Sequence, residues 1–143
     1  MERSPLGATS AKSLPLILAR EFAANLATPM FLLDARGMLV FYNDAAAVLL
    51  GKPFMELGEI PSDEFAEVLQ VTTLDGEPLH RKDSPAGIAY YQQRPAHQTL
   101  YATGYNGVRR AVHSTAYPLF GTEGEMHGVF NVFWELDSDE VHD

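Results

Sequence analysis

The chain has 143 residues, which suits one compact domain and is short for two. Its formal net charge of −9 argues against a nucleic-acid backbone as partner, and the absence of cysteine removes disulfides, thiolate nucleophiles and Cys-ligated zinc. The hydrophobic fraction of 46% is ordinary for a globular core, and no apolar run reaches the roughly 20 residues of a membrane span.

Residues 1–12 are rich in Ser, Ala and Gly, lack the apolar centre of a signal peptide, and read as a disordered lead-in to a cytoplasmic protein. Ser13 can cap a helix over residues 14–27, with Pro15 tolerated in its first turn. Leu14, Ile17, Leu18, Phe22 and Leu26 recur at spacings of three and four and form one apolar stripe. Pro29 disfavours helix at Thr28 and ends it. Residues 29–34 and 38–42 are short apolar strands joined through Ala35-Arg36-Gly37, which predicts a hairpin. Asn43 stands at the N-cap of a helix over residues 45–50, closed by Gly51. Residues 52–60 read as irregular. Ser62 caps a helix over 63–70, residues 72–82 read as loop, and Asp83 or Ser84 caps a third short helix that reaches Gln93. The remainder is β: strands at 98–105, 108–120 and 126–136, with Asn106-Gly107 as the strongest hairpin signal. Strands joined by tight turns are antiparallel. The order predicts an α+β fold: a five-stranded antiparallel sheet with short helices on one face and an N-terminal flanking helix.

This order, with its local residues, resembles the PAS domain family. The resemblance covers about residues 26–137 and rests on Phe31-Leu-Leu-Asp-Ala-Arg-Gly37, Val40-Phe-Tyr-Asn-Asp-Ala-Ala-Ala47 and Leu49-Leu-Gly51. Asp75-Gly-Glu-Pro-Leu79 before Ser84-Pro85, Asn106-Gly107 and Tyr117-Pro118-Leu119 are similar to the family's later segments. The resemblance implies a lead-in at 1–12, a flanking helix at 13–27, a PAS domain at 28–137 and an acidic tail at 138–143. It implies a sensory, non-enzymatic role, with a pocket for a small organic ligand between sheet and helices, and signalling through a homodimer or a separate signalling protein. The alternatives are a ligand-free interaction and dimerisation module, or a haem-binding sensor or enzyme on a similar scaffold. Flavin-cysteinyl chemistry and coumaroyl attachment both need a cysteine, and there is none. Haem-binding members use a histidine in the helix before the last three strands. Residues 83–93 contain none, although His80 and His97 flank them. The cofactor stays unknown.

Alternation along a strand assigns residues to faces. By resemblance, Val129, Asn131 and Phe133 point into the pocket, with Val112, Ser114 and Ala116, and with Leu100, Ala102 and Gly104. The candidate ligand-binding set is Phe41, Ile88, Tyr91, Ala102, Val112, Ser114, Asn131 and Phe133. Phe41, Tyr91 and Phe133 could equally fill the space. A buried Asn131 needs hydrogen-bond partners, which backbone, Ser114 or a ligand can supply. The opposite face carries apolar residues too, so something must cover it. The candidate interface set is Leu14, Ile17, Leu18 and Phe22 of the helix with Tyr101, Tyr117, Phe130, Val132 and Trp134 of the sheet. His113 and His127 could be neighbours across the last hairpin. No HExxH, GxSxG, P-loop or GxGxxG occurs, so no metal or catalytic site is expected. Neither nucleic acid nor membrane is an expected partner.

Overall fold

The computed structural model describes residues 13–137, and the expected lead-in and acidic tail lie outside the described residues. Helix α1 (Leu14–Ala24) starts where Ser13 Oγ accepts a hydrogen bond from the Leu16 amide at 3.4 Å. It ends at Ala24, before the expected residue 27. Strands β1 (Met30–Asp34) and β2 (Met38–Tyr42) form the expected hairpin. Its turn closes on Asp34, whose Oδ1 accepts from the amides of Arg36 at 2.9 Å and Met38 at 3.0 Å. Then follow α2 (Asp44–Leu50), α3 (Phe54–Leu57), β3 (Ile60–Pro61) and α4 (Ser62–Leu69). A 3-10 turn (Arg81–Asp83) leads into α5 (Pro85–Gln92), which Ser84 caps through the Gly87 amide at 3.1 Å. Strands β4 (Ala96–Thr103), β5 (Arg109–Phe120) and β6 (Met126–Glu135) finish the chain.

All pairings are antiparallel, in the order β3-β2-β1-β6-β5-β4. The sheet has six strands rather than the expected five. The extra one is the two-residue β3, which pairs with Met38 and Leu39 at an edge and falls where residues 52–60 were expected to give way to a helix cap. Two residues carry no periodicity that a sequence pattern could register.

The two faces are packed by different layers. On the inner face, Leu33, Leu39, Phe65, Ala89, Val129 and Phe133 belong to the main core, with helices α2 to α5 laid over it. On the outer face, Leu16 and Ala19 of α1 pack on Leu32 and Val40. This corrects the expected helix face. Leu16, Ala19 and Ala23 are buried, whereas Leu14, Ile17, Leu18 and Phe22 are exposed. Both sets have helical spacing, but the small residues allow closer approach. At the contact, a Cβ added to Gly128 would lie 2.2 Å from the Leu33 carbonyl oxygen and 3.2 Å from Leu16 Cδ1, so the helix seats on a glycine.

Asn43 joins the layers. As expected it caps α2, with Oδ1 accepting from the Ala46 amide at 3.0 Å. The same oxygen accepts from the Met30 amide at 3.1 Å, and Nδ2 donates to the carbonyls of Ala23 at 3.0 Å and Thr28 at 2.9 Å. One buried amide therefore ties the end of α1, the start of β1 and the start of α2 together.

Candidate functional site: a cavity under the inner sheet face

A cavity of about 180 Å³ lies between the inner face of β4–β6 and helices α4 and α5. The sheet side is built by alternation: Leu100 and Ala102 on β4, Val112 and Ser114 on β5, Asn131 and Phe133 on β6. Opposite stand Phe65 and Leu69 of α4 and Ala86, Tyr90 and Tyr91 of α5. α5 can approach closely because a Cβ at Gly87 would fall 1.7 Å from the Arg81 carbonyl oxygen, a space that only glycine leaves open.

Six expected ligand-binding residues line this space: Tyr91, Ala102, Val112, Ser114, Asn131 and Phe133. Phe41 and Ile88 do not, and both placements have a geometric cause. The β1–β2 register shifts so that Leu32 faces Phe41 while Leu33 faces Leu39, which leaves Val40 as a bulge. A bulge breaks strict alternation. Val40 and Phe41 both join the outer cluster, where the Arg20 guanidinium stacks 4.7 Å from the Phe41 ring. Ile88 lies about 200° around the helix from both Ala86 and Tyr90, because each residue turns about 100° around an α-helix.

Most of the cavity's polar groups have protein partners. Asn131, 1% exposed, donates from Nδ2 to Ser114 Oγ at 2.9 Å, and the serine hydroxyl closes back on Asn131 Oδ1 at 3.2 Å. The Tyr90 hydroxyl donates to the Ala35 carbonyl at 3.0 Å, and burial raises its pKa. Arg81 pairs with Asp63, which ties the 3-10 turn to α4, and its guanidinium lies 5.7 Å from the Tyr91 ring. Arg110 lies at the far end of the inner row. Its Nη1 contacts both carboxylate oxygens of Glu135, at 3.1 and 3.0 Å, while its buried Nε has no hydrogen-bond partner. Leaving such a donor unpaired costs about 1–3 kcal/mol. Arg110 shares the parity of Val112 and Ser114 on β5, which is the signal that places it in this wall. Arg81 carried no such signal, since its segment reads as loop.

Among the described residues, no Asp, Glu or His lines the cavity. Among the described residues no cluster of three His, Asp or Glu side chains could hold a metal ion, and no helix is long and apolar enough to cross a membrane.

The expected interface residues lie on the outer face. Phe22 stacks on Phe130 with ring centroids 6.0 Å apart. Phe130, Val132 and Tyr101 are half-buried, whereas Tyr117 and Trp134 are exposed. His113 neighbours His97 at 5.5 Å and Trp134 at 5.0 Å between ring centroids. His127 instead pairs with Glu125 at 2.9 Å, so the expected His113–His127 contact does not form. The two histidines lie on opposite sides of a register in which His113 faces Trp134.

Neither the protein-family models nor the curated proteins contain a match to the sequence. Solved structures do match. The PAS domain of BvgS from Bordetella pertussis is 16% identical, with 89% of this chain and 90% of that chain covered and a TM-score of 0.58. The PAS domain of the fruit-fly ELK potassium channel is 11% identical over 87% and 98%, with a TM-score of 0.65. The light-state dimer of the fungal blue-light photoreceptor Vivid is 15% identical over 84% and 91%, with a TM-score of 0.58. The chain has the PAS-domain fold.

Proposed function

We propose that this chain is a sensory or regulatory PAS domain that binds a small organic ligand in the inner cavity. Residues 28–137 form the domain and residues 13–27 its flanking helix. The setting is cytoplasmic, the ligand-bound state acts through a homodimer contact and a separate signalling protein, and no enzymatic step is assigned. The observation that carries this reading is the cavity of about 180 Å³, walled mostly by apolar side chains, with the small residues Ala86, Gly87 and Ala102 among them. Ligand sites are typically apolar concavities with a few placed polar groups, and this one fits that description. Native mass spectrometry of gently purified protein is expected to show an adduct that disappears on denaturation. Apoprotein alone, with no compound in a broad screen raising the melting temperature, ends the ligand reading.

A second reading, a ligand-free interaction module, is favoured by one observation: the apolar side of α1 is open, with Leu18 58% and Phe22 56% exposed. A neighbouring fold, Vivid, is described as a dimer in its light state. Replacing Ile17 and Leu18 by Asp should turn a helix-mediated dimer into monomer, and an unchanged elution volume removes that mode of assembly.

A further inference from the structure

Resting on the ligand-binding reading, we infer that the cavity takes a small monocarboxylate whose apolar body fills the space and whose carboxylate docks on Arg110. Three observations converge on this. Arg110 faces Ala102 across β4–β5, and both line the cavity. An arginine in a cavity stays charged and offers its donors in a planar fork that matches a carboxylate. Glu135 engages only Nη1, which leaves Nη2 and the buried Nε without a protein acceptor.

Several other polar groups of the wall already have protein partners. Ser114 and Asn131 bond to each other, Ser84 Oγ donates to the Arg81 carbonyl at 2.7 Å, and Thr103 Oγ1 accepts from Arg109 at 2.8 Å. The ligand's polar group therefore belongs at the Arg110 end. Its charge follows from the lining, whose only ionic groups are Arg81 and Arg110. The whole chain carries −9, so an anion is held here by local donors against the general field of the protein. Size limits the apolar body. A dry apolar cavity of about 150 Å³ holds benzene, so about 180 Å³ admits one ring or a branched chain of similar bulk.

Three probes of nearly one shape test this: benzoate, benzamide and toluene, titrated calorimetrically into the full chain at neutral pH. Benzoate should bind about tenfold or more tighter than benzamide, the scale of a charge-assisted hydrogen bond. Arg110→Gln should abolish that preference and leave toluene binding unchanged. Glu135→Gln, which removes the competing carboxylate, should tighten benzoate several-fold; it carries the test if Arg110→Gln does not fold. Benzamide or toluene binding as tightly as benzoate overturns the carboxylate inference and leaves the ligand reading standing. Unchanged benzoate affinity in Glu135→Gln likewise overturns it. If none of the three binds at millimolar concentration, the carboxylate inference fails, and the ligand reading is decided by the adduct and the broad screen.

Discussion

Strands β5 and β6 present Ser114, Asn131 and Phe133 on one side and Tyr117 and Trp134 on the other. The first three are almost wholly covered, while Tyr117 and Trp134 keep 45% and 42% of their surface. The inner side is roofed by four short helices that leave a cavity, and the outer side by one helix that covers only part of it. Apolar composition alone does not distinguish these outcomes, because both sides are rich in large apolar residues. The difference lies in the roof. On the inner side Gly87 lets the 3-10 turn fold tightly against α5, and Ser114 and Asn131 satisfy each other. On the outer side α1 seats on Gly128 through Leu16 and leaves its larger side chains outward. The inner side thus encloses a space, and the outer side leaves large apolar side chains uncovered.

The largest effect should come from Asn43, which belongs to both sides. Asn43→Ala strands the Met30 and Ala46 amides and removes a donor from the carbonyls of Ala23 and Thr28. Removing several such bonds should cost about 4 kcal/mol, read as a lower urea midpoint with an unchanged slope. Loss of α1 alone, with the rest intact, would show instead that the two layers are independent.

Tyr42 probes the inner side by pH. Its ring is buried, its hydroxyl donates to the Lys52 carbonyl at 2.5 Å, and burial pushes its pKa up to about 12 from an ordinary 10. The folded protein holds that proton more tightly than the unfolded chain. The contribution is therefore complete below pH 10 and lost as pH rises from 10 towards 12. At one pKa unit per 1.36 kcal/mol, up to about 3 kcal/mol should disappear across that window. Tyr42→Phe should lack this decline, and equal slopes for the two proteins in urea titrations against pH would contradict it.

A smaller effect is expected at the cavity wall. Ser114→Ala removes the main partner of the Asn131 amide and should cost about 1–2 kcal/mol. Combining it with Asn131→Leu should recover part of that loss, because the buried amide is gone as well. A strictly additive double-mutant cycle would show that the pair is not coupled. The smallest effect belongs to the outer side: Trp134→Ser should change monomer stability by no more than about 0.5 kcal/mol, since the side chain is already exposed. A larger loss in unfolding that depends on protein concentration would mean that the outer face is covered by a second copy.

Much of this architecture follows from local rules. Ser13, Asn43 and Ser84 act at their helix starts as their side chains dictate, and the β4–β6 strands alternate as written. Alternation also places Ala102, Val112, Ser114, Asn131 and Phe133 on the cavity face, and Arg110 has the same parity. Other features were not legible. The bulge at Val40 turns Phe41 to the outer face through a register shift that depends on the partner strand. Strand β3 exists only because the chain after α3 passes beside Met38 and Leu39.

Sequence by itself determined the order of the main elements, the caps at Ser13, Asn43 and Ser84, the hairpin turns and which residues of β4–β6 share a face, because these depend on neighbours within a few positions along the chain. Tertiary structure alone decided which of two helical stripes on α1 is buried, where the roof leaves space, and that Arg110 Nε lies buried without a partner. Each of these depends on how closely distant parts of the chain approach. At Gly128 that approach is set by the absence of a single methyl-sized group.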